Sequence, residues 1–187
     1  MEHLGFETAL EALAEKFHMS QGLLQRLNAG TDFVTPGTVL KVVMPSGRDL
    51  PAKVTKIEVD KNKAELRAFD DQGKLIASYP ATVGSGDFPS PNGEMEVRAI
   101  AATPTYYFNP EGRTWGPDER LTIAAGPNNP VGSTWIDLSK DGYGIHGTPE
   151  PQLIGKTSSH GCVRLTNWDA EQLSRAVSAG TKVVFIS

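Results

Sequence analysis

The sequence holds one cysteine, Cys162. No disulfide can form within the chain, and cysteine usage does not identify the compartment. A free thiol is either an inert core residue or a reactive one. Long apolar runs are also missing: no stretch reaches the about 18 residues that a membrane-spanning helix needs. Basic runs are missing too, and the formal net charge is -4. Nucleic acid is therefore not an expected partner, because phosphate binding needs clustered Lys and Arg. Met1-Glu2-His3-Leu4 has neither the basic start nor the continuous apolar run of a signal peptide. The chain is expected either to stay in the cytoplasm or to have lost a targeting segment. No internal repeat or low-complexity segment occurs.

What is there suits a globular protein. The 187 residues are 39% hydrophobic and 21% charged, enough for one ordinary domain and a small appendage. With 19 Gly and 13 Pro, a turn-rich β fold is favoured over a helical bundle.

Along the chain, Leu10, Leu13, Ala14 and Phe17 form the apolar stripe of a short helix. Ser20 is an N-cap for a second helix, with Met19 and Leu24 as a hydrophobic staple and Asn28-Ala29-Gly30 as its stop. Pro36-Gly37 predicts a turn, and Val39, Leu40, Val42 and Val43 a short strand. Residues 1–44 thus form a small unit, 45–52 a linker rich in turn residues, and 53–187 the main domain.

In the main domain, Lys53–Val59, Ala64–Phe69 and Lys74–Thr82 are β-prone, with turns at 60–63 and 70–73. Loops are expected at 84–93 and 109–118, and strands at 121–125, 133–138 and 182–186. Thr166 with Asp169 starts a helix, lined by Ala170, Leu173 and Val177 and stopped at Gly180. The expected fold is mostly β, an antiparallel sandwich or barrel with one helix after the cysteine.

Chemistry concentrates in Gly144-Ile145-His146-Gly147-Thr148-Pro149 and Ser158-Ser159-His160-Gly161-Cys162-Val163-Arg164-Leu165. These hold the only cysteine and two of the four histidines. A thiol becomes a good nucleophile when an imidazole takes its proton. Gly161 permits close backbone approach, and a sharp turn there would aim amide N–H groups at one point, as an oxyanion hole requires. Arg164 projects to the same side as Cys162 if the segment is a strand, where it can hold a carboxylate or brace the loop. A buried inert cysteine and a satisfied core histidine are the bland alternatives. Ser159 and Arg164 are supporting or substrate-contacting candidates, and Tyr143 is a candidate pocket wall. Trp115 lines either a groove or a satellite apolar cluster. His3 and His18 are expected to face solvent. His146, His160 and Cys162 lack the usual spacing of a zinc site, so no metal is expected.

Two resemblances follow from these residues. Ala14-Glu15-Lys16-Phe17, Ser20, Leu27-Asn28-Ala29-Gly30 and Pro36-Gly37-Thr38-Val39-Leu40 resemble a LysM module, a small peptidoglycan- and chitin-binding domain. One departure is that no strand precedes Thr8. His146-Gly147-Thr148 and Ser159-His160-Gly161-Cys162-Val163-Arg164 resemble the signature of the L,D-transpeptidase (YkuD-type) catalytic domain. The likeness extends over about residues 53–187. It takes in Phe69–Leu75, Pro89-Ser90-Pro91-Asn92-Gly93, Gly126–Gly132 and the helix bearing Asn167, Asp169 and Leu173.

The second resemblance implies a cell-wall enzyme. Cys162 would attack the bond between the L-centre of the third stem residue and D-alanine, releasing D-alanine and leaving a thioester. An acceptor amine would then give a 3-3 cross-link or attach a lipoprotein. Water as acceptor would make a carboxypeptidase, and a non-catalytic peptidoglycan-binding protein is the alternative from another class. His146 would be the base, oriented by the Gly147 carbonyl, with His160 beside the nucleophile. Gly161 and Cys162 would give the oxyanion N–H groups. Peptidoglycan stem peptides are the implied partners, carbapenems the implied inhibitors, and no cofactor is implied. A periplasmic or cell-envelope location follows, with the export signal removed.

Overall fold

The computed structural model describes residues 3–45, 47, 49–112, 114 and 116–186. The chain divides into two compact units, Gly5–Arg48, and Asp49–Ser187 together with Met1–Leu4.

In the smaller unit, α1 (Ala9–Lys16) starts at Thr8. The Thr8 hydroxyl accepts from Glu11 N–H, and the Glu11 carboxylate accepts from Thr8 N–H, so two orphan donors are satisfied reciprocally. The Thr8/Glu11 spacing carried that signal in the sequence, and the apolar stripe alone did not reveal it. Helix α2 (Gln21–Leu27) starts at Ser20, whose hydroxyl accepts from Leu23 N–H at 3.2 Å. Met19 and Leu24 are both buried in one cluster with Ala14, as a staple requires.

The strand expected at 39–43 does not form. An extended segment needs a ladder partner, and none lies among the described residues of this unit. A side chain does the pairing instead. Asn28 Oδ1 accepts from Lys41 N–H at 2.7 Å, and its Nδ2 donates to Lys41 C=O at 2.9 Å and Leu24 C=O at 2.8 Å. Val39 is left 91% exposed.

The larger unit is mostly β. Strands β1 (Lys56–Asp60), β2 (Glu65–Phe69) and β3 (Leu75–Pro80) form the expected meander. Asp70 closes the second turn, its carboxylate accepting from Gln72 and Lys74 N–H. Then come β4 (Gly93–Ala102), β5 (Tyr106–Phe108), β6 (Leu121–Ile123), β7 (Thr134–Leu138), β8 (Gly144–His146) and β9 (Val163–Arg164). Helix α3 (Asn167–Ala176) and β10 (Lys182–Ile186) complete it.

The expected antiparallel sandwich or barrel is corrected to a single mixed sheet of order β3-β2-β1-β10-β4-β7-β8-β9, with β5–β6 a separate hairpin. The pairs β1/β10 and β8/β9 are parallel. Parallel neighbours need a crossover, and the one from β1 to β10 takes in every element between them, with α3 the last before β10. The sheet curls until the chain running on from β3 meets β9. Thr82 and Arg164 exchange N–H···O=C bonds of 2.9 and 2.8 Å, and Gly84 bridges to Ser159. One core therefore joins Leu66 and Tyr79 near one edge to Val163 at the other. Ala170, Leu173, Ala176 and Val177 of the α3 segment seal it. The helix ends at Ala176 rather than running toward Gly180, because Val54 N–H already takes the Ala176 carbonyl at 2.9 Å.

Candidate active site

The nucleophile candidate lies in a braced loop. Cys162 is partly exposed, and its Sγ donates to the Gly142 carbonyl in the β7–β8 turn at 3.6 Å. Ser159, 3% exposed, donates through Oγ to Cys162 C=O at 2.5 Å and accepts from Gly161 N–H at 3.1 Å. Ser90, 3% exposed, donates to Gly161 C=O and accepts from Gly84 N–H, both at 2.8 Å. Both polar backbone atoms of Gly161 are thus bonded.

The Gly161 N–H has the Ser159 hydroxyl as its partner in this structure. The glycine is required for shape: its φ is +108°, and a Cβ there would meet the Tyr143 ring at 2.8 Å. Tyr143 accordingly walls this loop, with Lys140 Nζ 4.6 Å from its ring centre.

His146 ends β8, paired across the parallel ladder with Arg164 of β9. It is 4% exposed. Its Nδ1 lies 2.7 Å from the Gly147 carbonyl. Only a protonated Nδ1 can bond to a carbonyl, which assigns the lone pair of the neutral ring to Nε2. Burial pushes the imidazole pKa down to about 4 against the pull of the Gly147 carbonyl, and the nearby Arg164 cation pushes the same way. Trp135 stacks on the ring at 5.4 Å, where Gly144 makes room for it: a Cβ there would lie 2.5 Å from the indole.

The other expected residues separate. Arg164 is half-buried, and among the described residues its guanidinium makes no hydrogen bond or ion pair. His160 is exposed, with its ring 4.8 Å from that of Phe88. Trp115 lies outside the described residues. No group of three or more His, Cys, Asp or Glu among the described residues is placed to hold a metal.

Asn167 emerges from the structure. It is 2% exposed, and its Oδ1 accepts from Ser133 N–H and Thr148 N–H, both at 3.1 Å. Its Nδ2 donates to Pro127 C=O at 3.2 Å. In the sequence it was visible only as a helix residue.

A partly exposed thiol just before β9 and a buried imidazole with a pinned Nδ1 at the end of the neighbouring β8 are the kinds of group that a cysteine acyl-transfer centre uses. The comparisons narrow this class. The model of the L,D-transpeptidase catalytic domain, YkuD, matches residues 55–185. The chain belongs to the YkuD family of L,D-transpeptidase catalytic domains, a family of enzymes. It is 29% identical over 174 residues to a Bacillus licheniformis protein named as an L,D-transpeptidase, YkuD, covering 93% of this chain and 91% of that one. It is 32% identical over 185 residues to an Escherichia coli protein named as an L,D-transpeptidase, YbiS, covering 95% of this chain and 60% of that one. The fold matches an L,D-transpeptidase from Mycobacterium smegmatis with TM-score 0.59 at 19% identity, over 82% of this chain and 65% of that one. It also matches L,D-transpeptidase 3 from Mycobacterium tuberculosis bearing a faropenem-derived adduct, with TM-score 0.58 at 18% identity, over 70% of this chain and 59% of that one. The chain spans less than two thirds of the length of the Escherichia coli relative and of both solved structures.

Proposed function

We propose that this protein is a peptidoglycan L,D-transpeptidase in which Cys162 is the nucleophile and His146 the general base. The observation that carries this is the pinned, neutral imidazole, whose Nε2 lone pair can accept the thiol proton at neutral pH. The thiol sulfur attacks the carbonyl between the third stem residue and D-alanine as its proton passes to Nε2. The Cys162 N–H is the remaining amide of the expected oxyanion pair. Collapse of the tetrahedral intermediate breaks the C–N bond, and the imidazolium returns the proton to the departing D-alanine amine. An acceptor amine then attacks the thioester, gives its proton to Nε2, and expels the Cys162 sulfur, which recovers that proton. Arg164, whose guanidinium makes no hydrogen bond or ion pair among the described residues, suits a carboxylate of the stem.

The smaller unit is proposed as a wall-anchoring module, on the strength of its two capped helices and LysM-like residues. A peptidoglycan substrate supports a cell-envelope location. No helix of the described residues is long and apolar enough to cross a membrane.

Carbapenem acylation tests the proposal. Intact-protein mass spectrometry is expected to show one adduct, lost in Cys162→Ala. No adduct on the wild type after long incubation would refute the nucleophile. Incubation with a tetrapeptide stem, with and without a second stem, separates transfer from hydrolysis: a dimeric product is expected, and tripeptide alone would refute transfer. Sedimentation with insoluble peptidoglycan tests the anchor, using Cys162→Ala to prevent turnover. Sedimentation unchanged by substitutions in residues 5–48 would refute it.

A further inference from the structure

The peptide joining Gly147 to Thr148 is bonded at both ends. Its carbonyl oxygen takes the His146 Nδ1 proton at 2.7 Å, and its N–H donates to Asn167 Oδ1 at 3.1 Å. The three groups form one line: imidazole, peptide, side-chain amide. A peptide whose N–H is bonded becomes a stronger acceptor at its oxygen, because hydrogen bonds in series polarise one another.

The surroundings are shaped around the Asn167 amide. A Cβ on either Gly132 or Gly147 would strike its Oδ1. The same oxygen accepts from Ser133 N–H, and the amide nitrogen donates to Pro127 C=O. One buried side chain thus ties two loops together, β6–β7 at Pro127 and Ser133 and β8–β9 at Thr148, the second of which carries the acceptor for His146. Asn167 also follows Cys162 by only five residues, so one short segment brings both the sulfur and this clamp.

We infer that Asn167 is the positioning residue of His146, acting through the Gly147–Thr148 peptide rather than by touching the ring. It would hold the carbonyl in line with Nδ1 and so fix the tautomer and plane that aim Nε2 at the thiol. This inference rests on the reading of His146 as the base for Cys162.

The test is the pH dependence of carbapenem acylation for wild type, His146→Gln, Asn167→Ala and Asn167→Asp. The charged groups around His146 are Arg164 from β9, Asp137 reached through Trp135 on β7, and Glu171 of α3 bonded to Ser133. All are common to the two Asn167 variants. Asn167→Ala is expected to slow acylation about 10- to 100-fold. Asn167→Asp keeps an oxygen acceptor, so it is expected to restore the rate to within about tenfold of wild type. Its acid limb should lie at higher pH, because a carboxylate at the end of the line favours the imidazolium.

If His146→Gln acylates as fast as wild type, the underlying reading fails whatever Asn167 does. If His146→Gln is slow but folded Asn167→Ala keeps the wild-type rate, this inference alone is overturned. An Asn167→Asp variant no faster than Asn167→Ala, or one with the wild-type acid limb, overturns it as well. Failure of both variants to fold overturns it too, since the residue would then act on stability alone.

Discussion

Acid should weaken the folded state through one residue, His146. In the fold its pKa is pushed down to about 4, against 6.5 for an unperturbed imidazole. Between those values the unfolded chain takes up a proton that the folded chain refuses. Stability therefore rises with pH across this window: the contribution is fully present above about 6.5 and is lost as pH falls through about 4. Roughly two and a half pH units at about 1.4 kcal/mol each amount to about 3 kcal/mol. Against a total stability of about 5–15 kcal/mol, that is readily measured.

The perturbation is His146→Gln, which removes the titrating group and keeps an amide able to donate to the Gly147 carbonyl. Guanidinium unfolding at about pH 7 and about pH 4 would be followed by circular dichroism for both proteins. Carboxylates that titrate at the lower pH are common to both, so the difference of differences isolates His146. The wild type is expected to lose about 3 kcal/mol more than the variant. Equal losses would refute the reasoning. They would mean that the ring accepts its proton inside the fold, as an imidazolium paired with a thiolate would.

Other outcomes follow from the same coordinates. Carbapenem acylation should persist well below pH 6.5 and fall as the neutral ring is lost near pH 4; a rate halved at pH 6.5 would contradict the neutral resting state. Gly161→Ala forces a side chain into a backbone with φ +108° and toward the Tyr143 ring. That strain costs about 1–3 kcal/mol and should slow acylation at least about tenfold in a folded protein; a normal rate would show that the loop is not held tightly. Asn28→Ala removes three hydrogen bonds, one buried and two partly buried, worth about 1 kcal/mol each. Hydrogen exchange at the Lys41 amide should rise about 10- to 100-fold while β1–β10 stay protected, and unchanged exchange would discount that clamp.

The centre was legible because its chemistry sits in two short segments. A lone cysteine beside His-Gly and a second His-Gly upstream need no long-range information. Ser159, Tyr143 and Arg164 were legible as neighbours of the site for the same reason. Asn167 was not, because its role depends on Pro127, Ser133 and Thr148 converging from loops that only the fold brings together. The bond from Gly161 N–H to Ser159 was not legible either, because a backbone N–H gives no sign of which side chain will reach it.

Among the elements, the β1–β3 meander followed from turn residues, α1 from its apolar stripe, and α2 and α3 from their caps. Strand β4 was hidden: Gly-Glu-Met-Glu-Val-Arg-Ala-Ile-Ala-Ala is rich in residues that favour helix, buries only Met95 and Val97, and carries a register shift between Val97 and Ala99. Segment 39–43 shows the reverse. Its branched residues favour a strand, but a strand exists only where another can pair with it.

Strand β9 is two residues long and is held from both flanks, by β8 and by Thr82 beyond β3. The halves carrying those flanks are joined through β10. On the proposed reading of Cys162 and His146, this closure of the outermost edges is what keeps the residue next to the sulfur in register with the strand that ends at the imidazole.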